Sequence, residues 1–392
     1  MHLTSEQEKM LKGEYGWAVA KAMEIIVRVG EAIGAESLVE IKHAHVSGIS
    51  FSNIGKYGLE FIEAFSSAGG RARVFTTVNP GCIDYSGYSS IIDNVYEKEQ
   101  YLVDKALVEM RFKPVFTCIP YYYRPPAVNE HLAWGESSAV IFANSIYGAR
   151  TNREGGPLAL ASALTGYTYN AGLHLNENRV AKIHLKVHPE ITARYYGALG
   201  LWIGENVKES PLKLSIDNMN LSKIYEIKNL LASAAATGNH ALIVVENLTP
   251  KGTYSEDLQD RVEVAFSDVE KYLANPPKAK SGFVLGYIGC PHVHPKELLD
   301  VVRLLNRYGP VRKGKLLITV PREFASKYWY LVRKAKALGA DVAAGTCPVV
   351  SKLRGIFDYV LTNSGKAYFY LRRIHGLKVG IASTEEIVRY VC

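Results

Sequence analysis

The chain has 392 residues, 48% of them hydrophobic and 21% charged, which is enough apolar material for two or three α/β subdomains around a cleft. A formal charge of +8 suits an enzyme for anionic substrates as well as a nucleic-acid binder, but Lys and Arg are spread thinly and no nucleic-acid-binding motif surrounds the densest groups, Arg312–Lys315 and Lys334–Lys336. Met1–Gly30 lacks the order of a secretory signal and no run approaches the roughly 18 apolar residues of a membrane span, so a cytoplasmic protein without membrane or nucleic-acid contact is expected.

Along the chain, Leu11, Tyr15, Trp17, Ala18, Ala22, Ile25, Val29 and Ile33 keep a helical stripe. Val39–Lys42 reads as a short strand leading into the turn-like run His45–Ser50. A helix over Tyr57–Ser66, ended by Gly69-Gly70, and a strand over Arg73–Thr77 follow. Val115–Thr117, Ala241–Val245, Gly282–Ile288, Leu316–Val320 and Asp341–Ala344 read as buried parallel strands. Helices over Leu221–Ala236, Gln259–Ala274, Pro295–Tyr308, Arg322–Leu338 and Thr384–Val391 alternate with them, a rhythm that predicts α/β layers with function at the strand C-termini. Gly155–Asn178, rich in Gly, Ala and Tyr, reads as an irregular excursion. The Pro- and Lys-rich run Asn275–Gly282 reads as a linker between an N-terminal α/β lobe, residues 1–275, and a C-terminal one, residues 282–392.

The five cysteines are Cys82, Cys118, Cys290, Cys347 and Cys392, an odd number that argues against a disulfide framework. Cys118 (Thr117-Cys118-Ile119-Pro120), Cys290 (Gly289-Cys290-Pro291) and Cys347 (Thr346-Cys347-Pro348) each follow a predicted strand, with a proline close behind that stops it. Their separations, 172 and 57 residues, exclude a local zinc knuckle, whose ligands come in close pairs. Two readings fit: small buried hydrophobes, or one thiolate from each of several subdomains. Three thiolates on a 4Fe-4S cluster would leave one iron open as a Lewis acid. Cys82 and Cys392 lack the pattern and read as non-ligands.

These loops sit among longer motifs. The most specific runs from Trp134-Gly135-Glu136-Ser137-Ser138 to Tyr147-Gly148-Ala149-Arg150-Thr151-Asn152-Arg153; Gly289–His292, Gly345–Pro348 and Thr362-Asn363-Ser364-Gly365-Lys366 support it. Over nearly its whole length the chain resembles the aconitase X family. The resemblance implies an aconitase-like α/β architecture with a cluster-binding cleft between subdomains. It also implies hydro-lyase activity and an iron–sulfur cluster, 4Fe-4S, held by Cys118, Cys290 and Cys347. The family includes fused members carrying an extra swivelling domain and split archaeal-type members that keep it on a small subunit. With its end at Cys392, soon after Lys366, the chain has no room for that domain. The expectation is therefore the large subunit of a heteromer. It would dehydrate (R)-mevalonate 5-phosphate to trans-anhydromevalonate 5-phosphate for isoprenoid synthesis, with a base from the small subunit. The alternatives are a dehydratase of cis-3-hydroxy-L-proline or another hydroxy acid and, in another class, a non-catalytic iron–sulfur sensor or nucleic-acid-binding protein.

Elimination of water needs a proton acceptor, help for the hydroxide, and donors for the substrate's anionic groups. Gly48, Ile49 and Ser50 offer successive amides on a glycine turn, and Asn79-Pro80 forms a second turn beyond a strand; both also fit ordinary turns. Ser137 and Ser138 lie seven residues before Asn144 and Ser145, so one helix face would carry all four, followed by Arg150. A forked guanidinium suits carboxylate or phosphate, although helix capping and structural pairing are alternatives. Lys366, Ser138 and Asn144 are the expected catalytic residues. Gly48, Ile49, Ser50, Asn79, Pro80, Ser137, Ser138, Ser145, Arg150 and Lys366 are the expected substrate contacts. His292 and His294 read as hydrogen-bonding supports beside Cys290.

Overall fold

Among the described residues, 1–275 and 284–392, the strands of the computed structural model form three parallel sheets and two two-stranded antiparallel ladders. The expected linker, apart from Asn275, and the start of the strand expected from Gly282 lie outside the described residues. No helix among the described residues is long and apolar enough to cross a membrane.

The first sheet has three strands in the order Phe75–Val78, His43–Val46, Leu132–Trp134. Its central strand is wholly buried, and it takes in His45 and Val46, the start of the run expected to be turn-like, because its two histidines interrupt the apolar pattern. Each histidine meets the neighbouring strand through one ring nitrogen, the Thr77 hydroxyl lying 2.9 Å from His43 Nε2 and 2.8 Å from His45 Nδ1. The strand expected over Val39–Lys42 falls across the gap between Leu38–Glu40 and this one. Helices Trp17–Ala32 and Gly156–Thr165 pack on this region, the first through Ala18, Ala22 and Ile26. The second occupies the supposed irregular excursion. From Leu158 to Thr165 it is buried on every side, so its Gly- and Ala-rich composition reflects close helix packing and not loop character. The helix expected over Tyr57–Ser66 starts earlier, at Phe51–Ser67, with a break at Gly55 that hides its first turn from the periodicity.

The second sheet runs Ser255–Val264, Val180–Val187, Leu212–Ser215, Ile243–Val245, all parallel. Its edge strand occupies much of the helix expected over Gln259–Ala274, of which only Phe266–Glu270 is helical. An edge strand exposed along most of its length carries the polar composition of a surface helix, and only its pairing with Val180–Val187 distinguishes the two. The strand expected at Val115–Thr117 is likewise absent. Phe116 adopts φ 42°, outside any strand, while the Thr117 amide donates to the Val78 carbonyl at 2.9 Å.

The third sheet is five-stranded and parallel, in the order Asp341–Ala344, Lys315–Val320, Val284–Ile288, Tyr359–Thr362, Lys378–Ile381. The chain winds outward from Val284–Ile288 in one direction, then returns beside it and winds in the other. The switch point therefore lies between Val284–Ile288 and Tyr359–Thr362, the place where open α/β sheets bind ligands. Helices Pro295–Tyr308 and Thr384–Val391 form as expected, each started by a capping box, His294 with Glu297 and Ser383 with Glu386. The span Arg322–Leu338 breaks at Tyr328 into Phe324–Lys327 and Trp329–Ala337.

Candidate active site

The C-terminal ends of the third sheet's strands carry much of the chemistry. Cys290 follows strand Val284–Ile288, Cys347 follows Asp341–Ala344, and Lys366 follows Tyr359–Thr362. Gly289, with φ 126°, is required there because a Cβ would stand 2.5 Å from Thr319 Oγ1. The demand comes from the neighbouring strand. The His292 amide donates to Cys118 Sγ at 3.2 Å, and His292 Nε2 meets the Thr346 carbonyl at 2.9 Å. One buried histidine thus joins the Cys118, Cys290 and Cys347 loops. His294 instead caps its helix and meets the Tyr225 hydroxyl at 3.0 Å.

The three thiols are buried and within electrostatic reach of one another. Burial pushes the Cys118 thiol up to about 12, and Cys290 adds to the rise. Burial also raises Cys290, and it raises Cys347 well above the usual thiol range with help from both other thiols. The Lys366 ammonium opposes the rise at all three. Among the described residues no group of three or more His, Cys, Asp or Glu side chains is gathered so as to hold a metal ion. Ligands to different irons of a cluster stand farther apart than ligands to one ion. Three cysteines on separate loops are the donor type that iron–sulfur clusters take. Cys82 is hydrogen-bonded to Gln100 and Cys392 is the half-buried last residue.

Above Lys366 lies a paired carboxylate that sequence reasoning left without a role. Glu136 caps helix Ser137–Phe142 and pairs with Lys366, their side chains only 11% and 7% exposed. Glu136 also accepts from Asn79 Nδ2 at 2.8 Å, Ser137 Oγ at 3.2 Å and Ser138 Oγ at 3.1 Å. Burial pushes the Glu136 carboxyl up, but the Lys366 charge and these donors outweigh it and hold the group well below the carboxylate range. Burial likewise depresses Lys366, and Glu136 reverses this to keep the ammonium charged. A polar chain continues inward, from Asn79 Oδ1 to His45 Nε2 at 3.3 Å and on to Thr77 and His43. Burial depresses His45 to about 4, so it is neutral there.

This pair opens on a cavity of about 500 Å³ lined by Ser47, Asn79, Ser137, Arg153, Lys352 and Lys366 among others. Asn79, Ser137 and Lys366 are thus the expected site residues that line it. Ser138 lies behind, with its hydroxyl on Glu136. Gly48 has φ 63° in the turn beside Ser47; Ile49 and Pro80 are buried, and the Ser50 hydroxyl donates to the Val350 carbonyl at 3.2 Å.

Asn144, Ser145 and Arg150 do not reach the cavity lining. The helix expected to align them with Ser137 turns into a π-helix over Ala143–Tyr147, which breaks the seven-residue register. Asn144 Nδ2 donates to the carbonyls of Thr151 and Ala241, each at 2.9 Å, and Ser145 Oγ accepts from the Ile243 amide at 3.0 Å. The Arg150 guanidinium is held by Asn129 Oδ1 at 3.0 Å, the His174 carbonyl at 2.8 Å and Asn176 Oδ1 at 2.6 Å. Glu136 had one overlooked signal: a lone carboxylate opening a helix whose first residues are all apolar or Ser.

Models of the first, second and third domains of aconitase X match residues 1–177, 181–274 and 283–392. The chain belongs to the aconitase X family. It is 38% identical to the phosphomevalonate dehydratase large subunit of Thermococcus kodakarensis, over 99% of each chain. It is 26% identical to the cis-3-hydroxy-L-proline dehydratase of Hypocrea jecorina over 100% of this chain but 69% of that protein. The crystal structure of Thermococcus kodakaraensis aconitase X in its holo-form superposes with a TM-score of 0.89 at 36% identity, covering 100% of both chains. The expected α/β, aconitase-like architecture is borne out.

Proposed function

We propose that this chain is the large, catalytic subunit of a hydro-lyase that converts (R)-mevalonate 5-phosphate to trans-anhydromevalonate 5-phosphate and water in an archaeal-type mevalonate pathway. The observation that carries this is the end-to-end likeness to a phosphomevalonate dehydratase large subunit. Cations at the cavity, Arg153, Lys352 and Lys366, suit a substrate that bears both carboxylate and phosphate. Lys366 is the cation nearest the thiols' influence, and Glu136 keeps it charged and aimed. Ser137, with its hydroxyl 3.4 Å from Lys366 Nζ, orients a substrate oxygen, while the turns at Gly48–Ser50 and Asn79-Pro80 receive an anionic group. Cys118, Cys290 and Cys347 would hold an iron–sulfur cluster, 4Fe-4S with three Cys ligands, which supplies a Lewis acid for a departing hydroxide.

On this proposal the enzyme is a cytoplasmic heteromer in which a small swivelling-domain subunit completes the site and supplies the base. Two lobes, residues 1–275 and 282–392, flank the cluster, the first giving Cys118 and the second Cys290 and Cys347. The test is anaerobic co-purification with that small subunit, iron and sulfide counting, and a dehydration assay. Turnover of mevalonate 5-phosphate only when both subunits are present is expected. Turnover of cis-3-hydroxy-L-proline in its place would overturn the substrate.

A further inference from the structure

Two backbone turns bring Ser47 and Asn79 to the cavity, one after strand His43–Val46 and one after its parallel neighbour Phe75–Val78. Parallel pairing fixes the strands, and the Asn79 amide donates to the Val46 carbonyl at 3.0 Å where the turns begin. Beyond that point the side chain of Gln100, on helix Glu97–Glu109, bridges them. It is 0% exposed and is not part of the cavity lining. Its Oε1 accepts from the Phe51 amide at 2.9 Å, at the helix start that closes the first turn, and from the Cys82 amide at 3.2 Å in the second. Its Nε2 donates to the Ile49 carbonyl at 3.1 Å and to Asp104 Oδ1 at 2.9 Å. The orientation of the amide is set by its surroundings, since two main-chain donors face one end and a carbonyl and a carboxylate face the other. Tyr85 holds that carboxylate in turn, with its hydroxyl 3.0 Å from Asp104 Oδ1.

We propose that Gln100 is a positioning residue that sets the separation of the two turns, and through them the placement of Ser47 and Asn79 against the substrate's anionic group. This rests on the cavity being the substrate site. Gln100 touches no substrate itself. Its loss should loosen binding more than the chemical step, because none of its own hydrogen bonds goes to Cys118, Cys290, Cys347 or the Glu136–Lys366 pair.

The test uses the two-subunit holoenzyme and compares Gln100→Leu, which keeps the bulk but no polar atom, with Gln100→Glu, which keeps the acceptor and loses the donor. Three quantities are measured: hydrogen exchange at the Phe51 and Cys82 amides, kcat and KM for mevalonate 5-phosphate, and iron content. Gln100→Leu is expected to speed exchange at both amides and to raise KM, each by about tenfold or more, with kcat within about threefold and iron unchanged. Gln100→Glu is expected to keep both amides protected and to raise KM by a smaller factor. Unchanged exchange and KM in Gln100→Leu would overturn the proposal, as would kcat, KM and iron content deteriorating together. If Gln100→Leu does not fold, a wild-type KM in Gln100→Glu overturns it. A wild-type holoenzyme that does not turn over mevalonate 5-phosphate defeats the assigned reaction instead, and the exchange at the two amides then decides the role of Gln100 alone.

Discussion

The two ends of the Trp134–Arg153 motif use similar residues for opposite purposes. At its start, Glu136 and Ser137 face a cavity with Lys366, while further on Asn144, Ser145 and Arg150 bind backbone carbonyls, an amide and two asparagines. Residue type does not separate them, since Arg150 is fully engaged and Arg153, three residues later, lines the cavity with its guanidinium 2.9 Å from Asn239 Oδ1. The π-turn at Ala143–Tyr147 takes Asn144 and Ser145 out of register with Ser137, and beyond it Arg150 is held by the scaffold before the chain returns to the cavity at Arg153. A polar residue in a distinctive motif is therefore as able to hold a site's framework as to perform its chemistry.

The contrast can be broken at several places. The largest effect is expected at the thiols: Cys118→Ala, Cys290→Ala and Cys347→Ala should each abolish cluster content and dehydration, whereas Cys82→Ala, whose thiol meets Gln100 instead, should retain iron. Iron and sulfide counts decide this, and a retained cluster in any of the first three refutes that ligand. Next, Lys366→Met leaves the Glu136 carboxylate buried without its ammonium, so activity should vanish and chemical denaturation should show a loss of about 3 kcal/mol. Lys366→Met with wild-type stability would show that the pair is not a structural unit.

The buried polar chain behind the cavity should appear in the pH dependence of stability. His45 is held neutral, with its pKa depressed from 6.5 to about 4, so below pH 6.5 the unfolded chain binds a proton that the folded chain refuses. Stability therefore falls as pH drops from 6.5 toward 4, by about 3 kcal/mol from this residue. The depressed His43, His174 and His292 add in the same direction. Denaturation of His45→Gln at pH 7 and pH 4.5 should show a smaller drop than wild type, and an equal drop would remove His45 from the account. The smallest effect compares the two arginines. Arg150→Met should lose about 1–3 kcal/mol of stability with kcat/KM of the folded enzyme unchanged, and Arg153→Met should do the reverse, raising KM about tenfold at wild-type stability. Identical behaviour in the two variants would erase the division of the motif.

Much of this molecule was legible before folding was considered. The alternation of short apolar runs with amphipathic helices specifies parallel α/β layers, because only crossover helices join parallel strands. Cys118, Cys290 and Cys347 stood out through the prolines close behind them, and Lys366 through the resemblance of Thr362–Lys366 to the family. The sequence did not reveal which polar groups meet. A central strand bearing His43 and His45 looks like a turn until Thr77 stands beside it, and an exposed edge strand at Ser255–Val264 looks like a helix until Val180–Val187 pairs with it. The Glu136–Lys366 pair, 230 residues apart, and the bridging of two turns by Gln100 exist only once the sheets and helices pack. Propensity and periodicity act within a few residues of the chain, whereas charge pairing and hydrogen bonding act across space. The architecture was therefore written locally, and only the tertiary structure decided which side chains meet at the site.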